Sequence, residues 1–283
     1  MQRRSPQLVP YSCDLHMHSA LSPCAEDRMT PPEVVKKIMS LDIDVFSITD
    51  HNSVHNCSAF EAYAREKNVL FIPGIELQSS EEIHLLGYFP DIISLNDFYR
   101  SVRPQFTKIK NDPRQFGSQL KVDRQGSVIG EEEIMLSIPL DISIDELVNM
   151  IHNFQGLAVA AHLDRGFSLV SQLGFIPPYL DIDAVEIWNV DKIDSIKAKF
   201  FQDRDINILS SGDYHYLEMM KPPKMKLWLE KLDVKSCLDC IKGVGPGRVT
   251  IKRKTALRSR TAPSQNRSQN TNSSSRDWKN LYG

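Results

Sequence analysis

The sequence predicts an α/β barrel with a mostly parallel sheet, and three observations predict it. Short β-rich runs alternate with helical patterns, the runs end in polar residues, and 283 residues with 41% hydrophobic content suffice for one large core.

The units follow in order. "YSCDLHMH" (11–18) precedes the helical "TPPEVVKKIMSLD" (30–42), "DVFSITDH" (44–51) precedes "CSAFEAYAREKN" (57–68), and "VLFIPGIEL" (69–77) is a third strand. After a break come the helix "ISIDELVNMIHNFQ" (142–155) and the strand "LAVAAH" (157–162). "AVEIWN" (184–189), the helix "DSIKAKFFQDRD" (194–205) and the strand "INILSSGDYH" (206–215) complete the series. Thr-Pro and Ser-Ile-Asp are helix starts, and six or seven such units point to a barrel.

The break, at roughly 91–142, lacks this rhythm and is rich in charge, so it is expected to form a small inserted subdomain beside the barrel mouth; Glu131, Glu132 and Glu133 read there as a solvated helix start. The barrel is expected over residues 1–247 and a basic tail over 248–283. That tail is polar and poor in apolar anchors from about 256, a composition that predicts disorder.

Net charge is −2, unevenly spread: residues 248–283 hold nine Lys and Arg against one acid, leaving the body at about −10. An acidic body argues against general nucleic-acid binding and suits carboxylates neutralised by cations. "MQRRSPQLVPYS" is followed by no apolar run of signal-peptide length, and nothing reaches the roughly 18 apolar residues of a membrane span, so a cytoplasmic protein is expected. Five cysteines without framework spacing read as reduced thiols. Cys237 and Cys240 fit core or helix-surface thiols. Cys24 and Cys57, on loops expected to be neighbours, fit inert thiols, an extra thiolate ligand or a redox pair.

In "DLHMHSALSPCAED" (14–27), Asp14, His16 and His18 share one face of an extended strand. That spacing suits a shared metal ion or a solvated, hydrogen-bonded pair. The other ionisable residues narrow the choice. His51 follows Asp50 at the end of the second strand, Glu76 ends the third, His84 sits on the short strand after it, His162 ends "AVAAH", and Asp213 and His215 end "SSGDYH". Six of eight histidines thus fall at or near strand tips, which share one rim in a parallel barrel. So many imidazoles and carboxylates in one pocket favour divalent cations, which turn repulsion into coordination. His55 and His152 fall outside the pattern.

In this order "DLHMHS", "TDHN", "GIE", the His of "IHLLG", "AHLDR", "EIWN" and "SGDYH" resemble the PHP (polymerase and histidinol phosphatase) metal-dependent phosphoesterases, over roughly residues 11–217. The resemblance implies a distorted TIM-like (β/α)7 barrel and two or three divalent ions. It implies one metal on His16, His18, Glu76 and Asp213, a second on Glu76, His84 and His162, and a third on His51 and His215. Relatives complete the third with an acid from "SDG". The segment "SPCAEDRMTP" lacks that motif, leaving Asp27, or else Glu26. A metal-bridging hydroxide is then expected to attack phosphorus. Arg165 is placed to clamp phosphate as a catalytic and substrate-binding group. Asp50, with Asp14, is expected to orient a histidine. Ser19, Asn52 and Asn189 are candidate substrate contacts.

The expected activity is hydrolysis of a phosphate ester of a small metabolite or nucleotide, with no membrane partner and no oligomeric state assigned. Zinc, manganese and iron all suit the ligands. A second reading is a nuclease or nucleic-acid binder, because "LDCIKGVGPGRVTI" (238–251) resembles the Gly-x-Gly turn of a helix-hairpin-helix and leads into the basic tail, although "RVTIKRKT" reads as a strand. A third is C–N bond hydrolysis by the same ions.

Overall fold

A computed structural model describes residues 7–202 and 204–253. The elements are β1 (Val9–Asp14), α1 (Pro31–Ser40), β2 (Val45–Ile48), α2 (Cys57–Glu66), β3 (Leu70–Gln78), β4 (His84–Tyr88), α3 (Ile92–Val102), α4 (Pro113–Phe116), β5 (Leu120–Val122) and β6 (Val128–Glu131). Then follow α5 (Ile144–Asn153), β7 (Leu157–Ala160), α6 (Leu169–Leu173), β8 (Ala184–Glu186), α7 (Ile193–Phe200), β9 (Asn207–Leu209), β10 (Met225–Leu229), α8 (Val234–Lys242) and β11 (Arg248–Ile251).

Nine strands form one barrel-like sheet in the order β11-β10-β1-β2-β3-β4-β7-β8-β9. Neighbouring pairs among β1, β2 and β3 are parallel, as are those among β7, β8 and β9. Strand β4 lies between the two sets and is antiparallel to both. The loop from Gln78 to His84 is too short for a crossover helix, so the chain turns back on itself. A parallel bridge between Met17 and Tyr214 joins the chain beyond β1 to the chain beyond β9, with His18 N–H donating to the Tyr214 carbonyl at 2.9 Å. This contact nearly closes the ring. The six parallel strands with β4 make the distorted seven-stranded barrel, and β10 and β11 extend it with antiparallel pairing.

The helices coat the sheet as their sequences require. Helix α1 starts with Pro31 after Thr30 and buries Val34, Val35 and Ile38. Helix α5 opens with a reciprocal Ser143–Glu146 cap and buries Ile144, Leu147, Val148 and Ile151. Inside, alternation sorts the side chains. Ile72 shares a face of β3 with Glu76, Leu86 a face of β4 with His84, and Ala184 a face of β8 with Glu186. The apolar members cluster with Leu15, Tyr88, Val159 and Leu209, so the polar ones sit on an apolar floor.

Two sequence expectations shift. Within 91–142, α3 buries Leu95, Phe98, Tyr99 and Val102 against the barrel, while residues beyond it carry the separate β5–β6 sheet. Glu131 ends β6, and Glu132 is buried under Arg103, Lys121 and His55 at 3.0, 3.1 and 3.3 Å; no solvated helix starts there. The boundary expected at 247 falls inside the sheet, because β11 pairs with β10 over Arg248–Ile251. The remaining tail, 254–283, lies outside the described residues. Among the described residues no helix is long and apolar enough to cross a membrane.

Candidate metal centre

Glu76, near the end of β3, is the hub. Its Oε1 lies 3.4 Å from His16 Nε2, 3.0 Å from His84 Nδ1 and 3.4 Å from His162 Nε2. Its Oε2 lies 3.3 Å from His18 Nε2 and 3.1 Å from His51 Nδ1. Asp213 Oδ1 is 3.4 Å from His16 Nε2, 3.2 Å from His18 Nε2 and 3.6 Å from His215 Nδ1. Parallel strand ends deliver most of these groups to one rim. His84 arrives differently: it begins β4, and because β4 is reversed its first residue reaches the rim the others reach with their last.

The backbone is bent to suit. His162 and Asp213 hold φ of +24° and +52°, left-handed values that non-glycine residues rarely adopt. A Cβ at Gly212 would collide with the ring of Tyr214, whose backbone pairs with Met17 and His18. Gly212 therefore sets the approach of Asp213.

The donors fit divalent cations. Both Glu76 oxygens, His16 Nε2 and His162 Nδ1 are buried without a hydrogen-bond partner. Donors about 2.1 Å from one ion stand about 3.0–3.5 Å apart, the spacing found around Glu76. Three groups of donor atoms, each within 4.8 Å of one another, can be drawn: His16–His18–Asp213, His51–Glu76–His84 and His18–His51–His215. Burial works against charge here, yet the surrounding imidazoles of His84, His16 and His51 outweigh it and hold the Glu76 carboxyl well below its usual range. Burial likewise opposes protonation of His16, but Glu186, Glu76 and Asp213 raise its pKa well above normal.

Eight of the nine expected ligands come together. Asp27 does not. Backbone bonds from Ala20 N–H to the Met29 carbonyl and from Met29 N–H to the Glu26 carbonyl fold this loop into turns that leave Asp27 exposed, outside all three groups. Glu26 is also spent elsewhere, accepting from Leu217 N–H. Cys24, on the same loop, is exposed and likewise outside all three groups. Burial of its sulfur raises the thiol pKa, but the nearby imidazoles of His51, His215 and His18 bring it down to about 5. Cys57, by contrast, is buried with its thiol on the Ile48 and Gly74 carbonyls, and all five cysteines are free.

The other expected site residues sort by burial. Asp50 is not placed to react: it is fully buried and accepts from Ser19 N–H (2.7 Å), Ser19 Oγ (2.6 Å) and Ser22 Oγ (2.8 Å). It reaches a ligand only through Ser22 Oγ, 2.9 Å from His18 Nδ1. Ser19 is buried beneath the site, so it meets no substrate. Asn52 is buried too, with its side chain spanning the Leu136 and Ile138 carbonyls and the Gln78 N–H. Asn189 caps the next turn through Asp191 N–H. Asp14 accepts from His16 N–H and Gly212 N–H at 3.3 and 3.2 Å, and burial lifts its carboxyl to about 7. Arg165 does line the site: it pairs with Asp213 and lies against Trp188.

One residue escaped the sequence reading. Glu186, 2% exposed, holds His16 Nδ1 at 2.9 Å and accepts from His162 N–H at 3.2 Å. It turns His16 Nε2 toward Glu76 and Asp213, the role a carboxylate plays behind a metal-bound imidazole. Its position at the end of "AVE" was the available signal.

These features define the class: a barrel hydrolase dependent on metal ions. The PHP domain model matches residues 14–173, and the chain belongs to the PHP domain family. Among solved structures it is similar to the lesion-specific endonuclease PfuEndoQ from Pyrococcus furiosus, at 20% identity and a TM-score of 0.62, covering 85% of this chain and 58% of that one. It is similar to an Endonuclease Q bound to a 27-mer duplex with an abasic lesion at the active site, at 18% identity, a TM-score of 0.61 and the same coverage. An amidohydrolase from Chromobacterium violaceum matches at 18% identity and a TM-score of 0.50, over 72% of this chain and 88% of that one. The likenesses are of fold, and the chain spans little over half the length of both endonucleases. No curated protein matches it.

Proposed function

We propose that this chain hydrolyses phosphate esters of a small metabolite or nucleotide at the Glu76-centred cluster. The observation that carries this reading is Arg165 beside that cluster, on the wall of a cavity of about 310 Å³ also lined by His51, Glu76, His84, His162, Phe167, Asp213 and His215. A volume at the small end of the range for ligand sites suits a small phosphorylated molecule. His16, His18, Glu76 and Asp213 would hold one cation, and Glu76, His84 and His162 a second. When bound, such ions polarise phosphoryl oxygens and lower the pKa of water. The chain's own part is to orient and to balance charge. Glu186 fixes the His16 ring, the Asp50–Ser22 pair fixes His18, and Arg165 offers two parallel N–H donors to phosphate oxygens.

A second reading, nuclease action, is favoured by the fold shared with the two endonuclease chains. The Gly-rich segment does not support it in the form the sequence suggested. The segment joins α8 to strand β11 through Gly243 and Gly245 at positive φ, so no helix-hairpin-helix forms. Turnover of p-nitrophenyl phosphate, bis(p-nitrophenyl) phosphate, an abasic duplex and the amide p-nitroacetanilide with added manganese separates the readings. Monoester turnover lost in His16→Ala/His18→Ala supports the first. Duplex cleavage without monoester turnover replaces it with the second, and turnover of amides alone rejects both.

A further inference from the structure

We infer that Phe167 selects for nucleotides, its ring stacking the base of a nucleoside phosphate whose phosphate lies at the Glu76 cluster. The inference rests on the phosphoesterase reading above and names its substrate class. Among the described residues that line the cavity of about 310 Å³, Phe167 carries the one apolar side chain; apart from Gly166, the others are ionisable. A wall of that composition suits a ligand with an anionic end and a flat apolar end. Phe167 and Arg165 stand two residues apart on one loop, so the same segment meets both ends.

The ring is held for this use. It lies nearly parallel to the ring of His84, with centroids 5.3 Å and planes 12° apart, so the imidazole covers one face. Yet the residue is 48% exposed, which leaves the rest of the ring to the cavity. Its backbone sits at φ +55°, a left-handed conformation that is costly for a bulky residue and that burial of the ring does not offset. Both flanks are fastened. His84 N–H donates to the Phe167 carbonyl at 2.7 Å, and buried Ser168 donates from Oγ to the Arg165 carbonyl at 3.0 Å while capping α6 through Ser171 N–H. A base extends this pair into a stack of three parallel rings, the arrangement by which aromatic side chains hold bases of any sequence. His84 also sets the reach. It stands 3.0 Å from Glu76 Oε1 and is stacked on Phe167, so the phenyl ring is one ring removed from the cluster, a gap that a ribose fills between a phosphate and its base.

The test uses the full manganese-loaded chain and two probes that share the ester and differ by the base, AMP and ribose 5-phosphate. The expected result is a kcat/KM at least tenfold higher for AMP in the parent, a preference that falls about tenfold in Phe167→Ala, mainly through KM, and is kept in Phe167→Trp. Turnover of both probes without preference overturns the inference and leaves the phosphoesterase reading standing. A loss in Phe167→Ala that is equal for both probes also overturns it, since a ring that merely supports His84 gives that result. If neither probe is hydrolysed, the phosphoesterase reading fails and equilibrium binding to the same chain decides. AMP bound at least tenfold more tightly than ribose 5-phosphate, with the margin lost in Phe167→Ala, supports the stacking role, and equal affinities overturn it.

Discussion

Glu186 and His16 form a fully buried pair, carboxylate to Nδ1 at 2.9 Å, which leaves Nε2 of that ring facing Glu76 and Asp213. Removing the charge while keeping the shape isolates this function. Glu186→Gln is expected to weaken metal binding and lower kcat about 10–100-fold with the fold intact, read by metal titration and circular dichroism. Unchanged affinity would reduce Glu186 to packing.

Asp50 serves the fold first. Its carboxylate satisfies two hydroxyls and one N–H in a site without solvent access, so Asp50→Ala strands three donors and is expected to cost about 3 kcal/mol. Urea unfolding of the metal-free chain measures it. A catalytic acid or base would instead leave stability unchanged.

Arg165 is nearly half exposed, so it can leave Asp213 for a phosphate. Arg165→Ala is expected to reduce kcat/KM for phosphate substrates about 100-fold, with metal content unchanged. An equal loss on an amide substrate would remove the phosphate clamp.

Glu132 predicts an acid-sensitive contribution remote from the metal cluster. Burial raises its carboxyl pKa, but His55 and Lys121, with Arg103, pull it down to about 2 from the 4.5 of a free glutamate. A depressed carboxyl stabilises the fold above its unfolded pKa, so this contribution is present above about pH 4.5 and lost as pH falls toward 2. After screening of its partly exposed partners it amounts to about 1–2 kcal/mol. Unfolding of the metal-free chain between pH 6 and 3 is therefore expected to be less pH-dependent in Glu132→Gln. Parallel curves would contradict the assignment.

The barrel was legible because βα units impose their own punctuation, and parallel strands must bring their ends to one rim. That alone gathers His51, Glu76, His162 and Asp213. His84 needed the reversal of β4, which a five-residue connection implies. Facing within loops was not legible. Asp27, Ser19 and Asn52 read as site residues by nearness in sequence, but backbone bonds across residues 20–29 turn Asp27 outward, while Ser19 is buried on Asp50 and Asn52 on the carbonyls of Leu136 and Ile138. Glu186 was overlooked for the opposite reason: it stands alone at its strand end, and nothing local reveals that it lies across the barrel from His16.

Elemental analysis of the purified chain beside Glu76→Gln is the most direct measurement of the central claim, since Glu76 alone touches five imidazoles. Two or three equivalents of a divalent transition metal in the parent, falling to one or none in the variant together with hydrolysis, is the predicted result. A parent that hydrolyses its substrate after complete metal removal, or a variant with the same metal content as the parent, would contradict it.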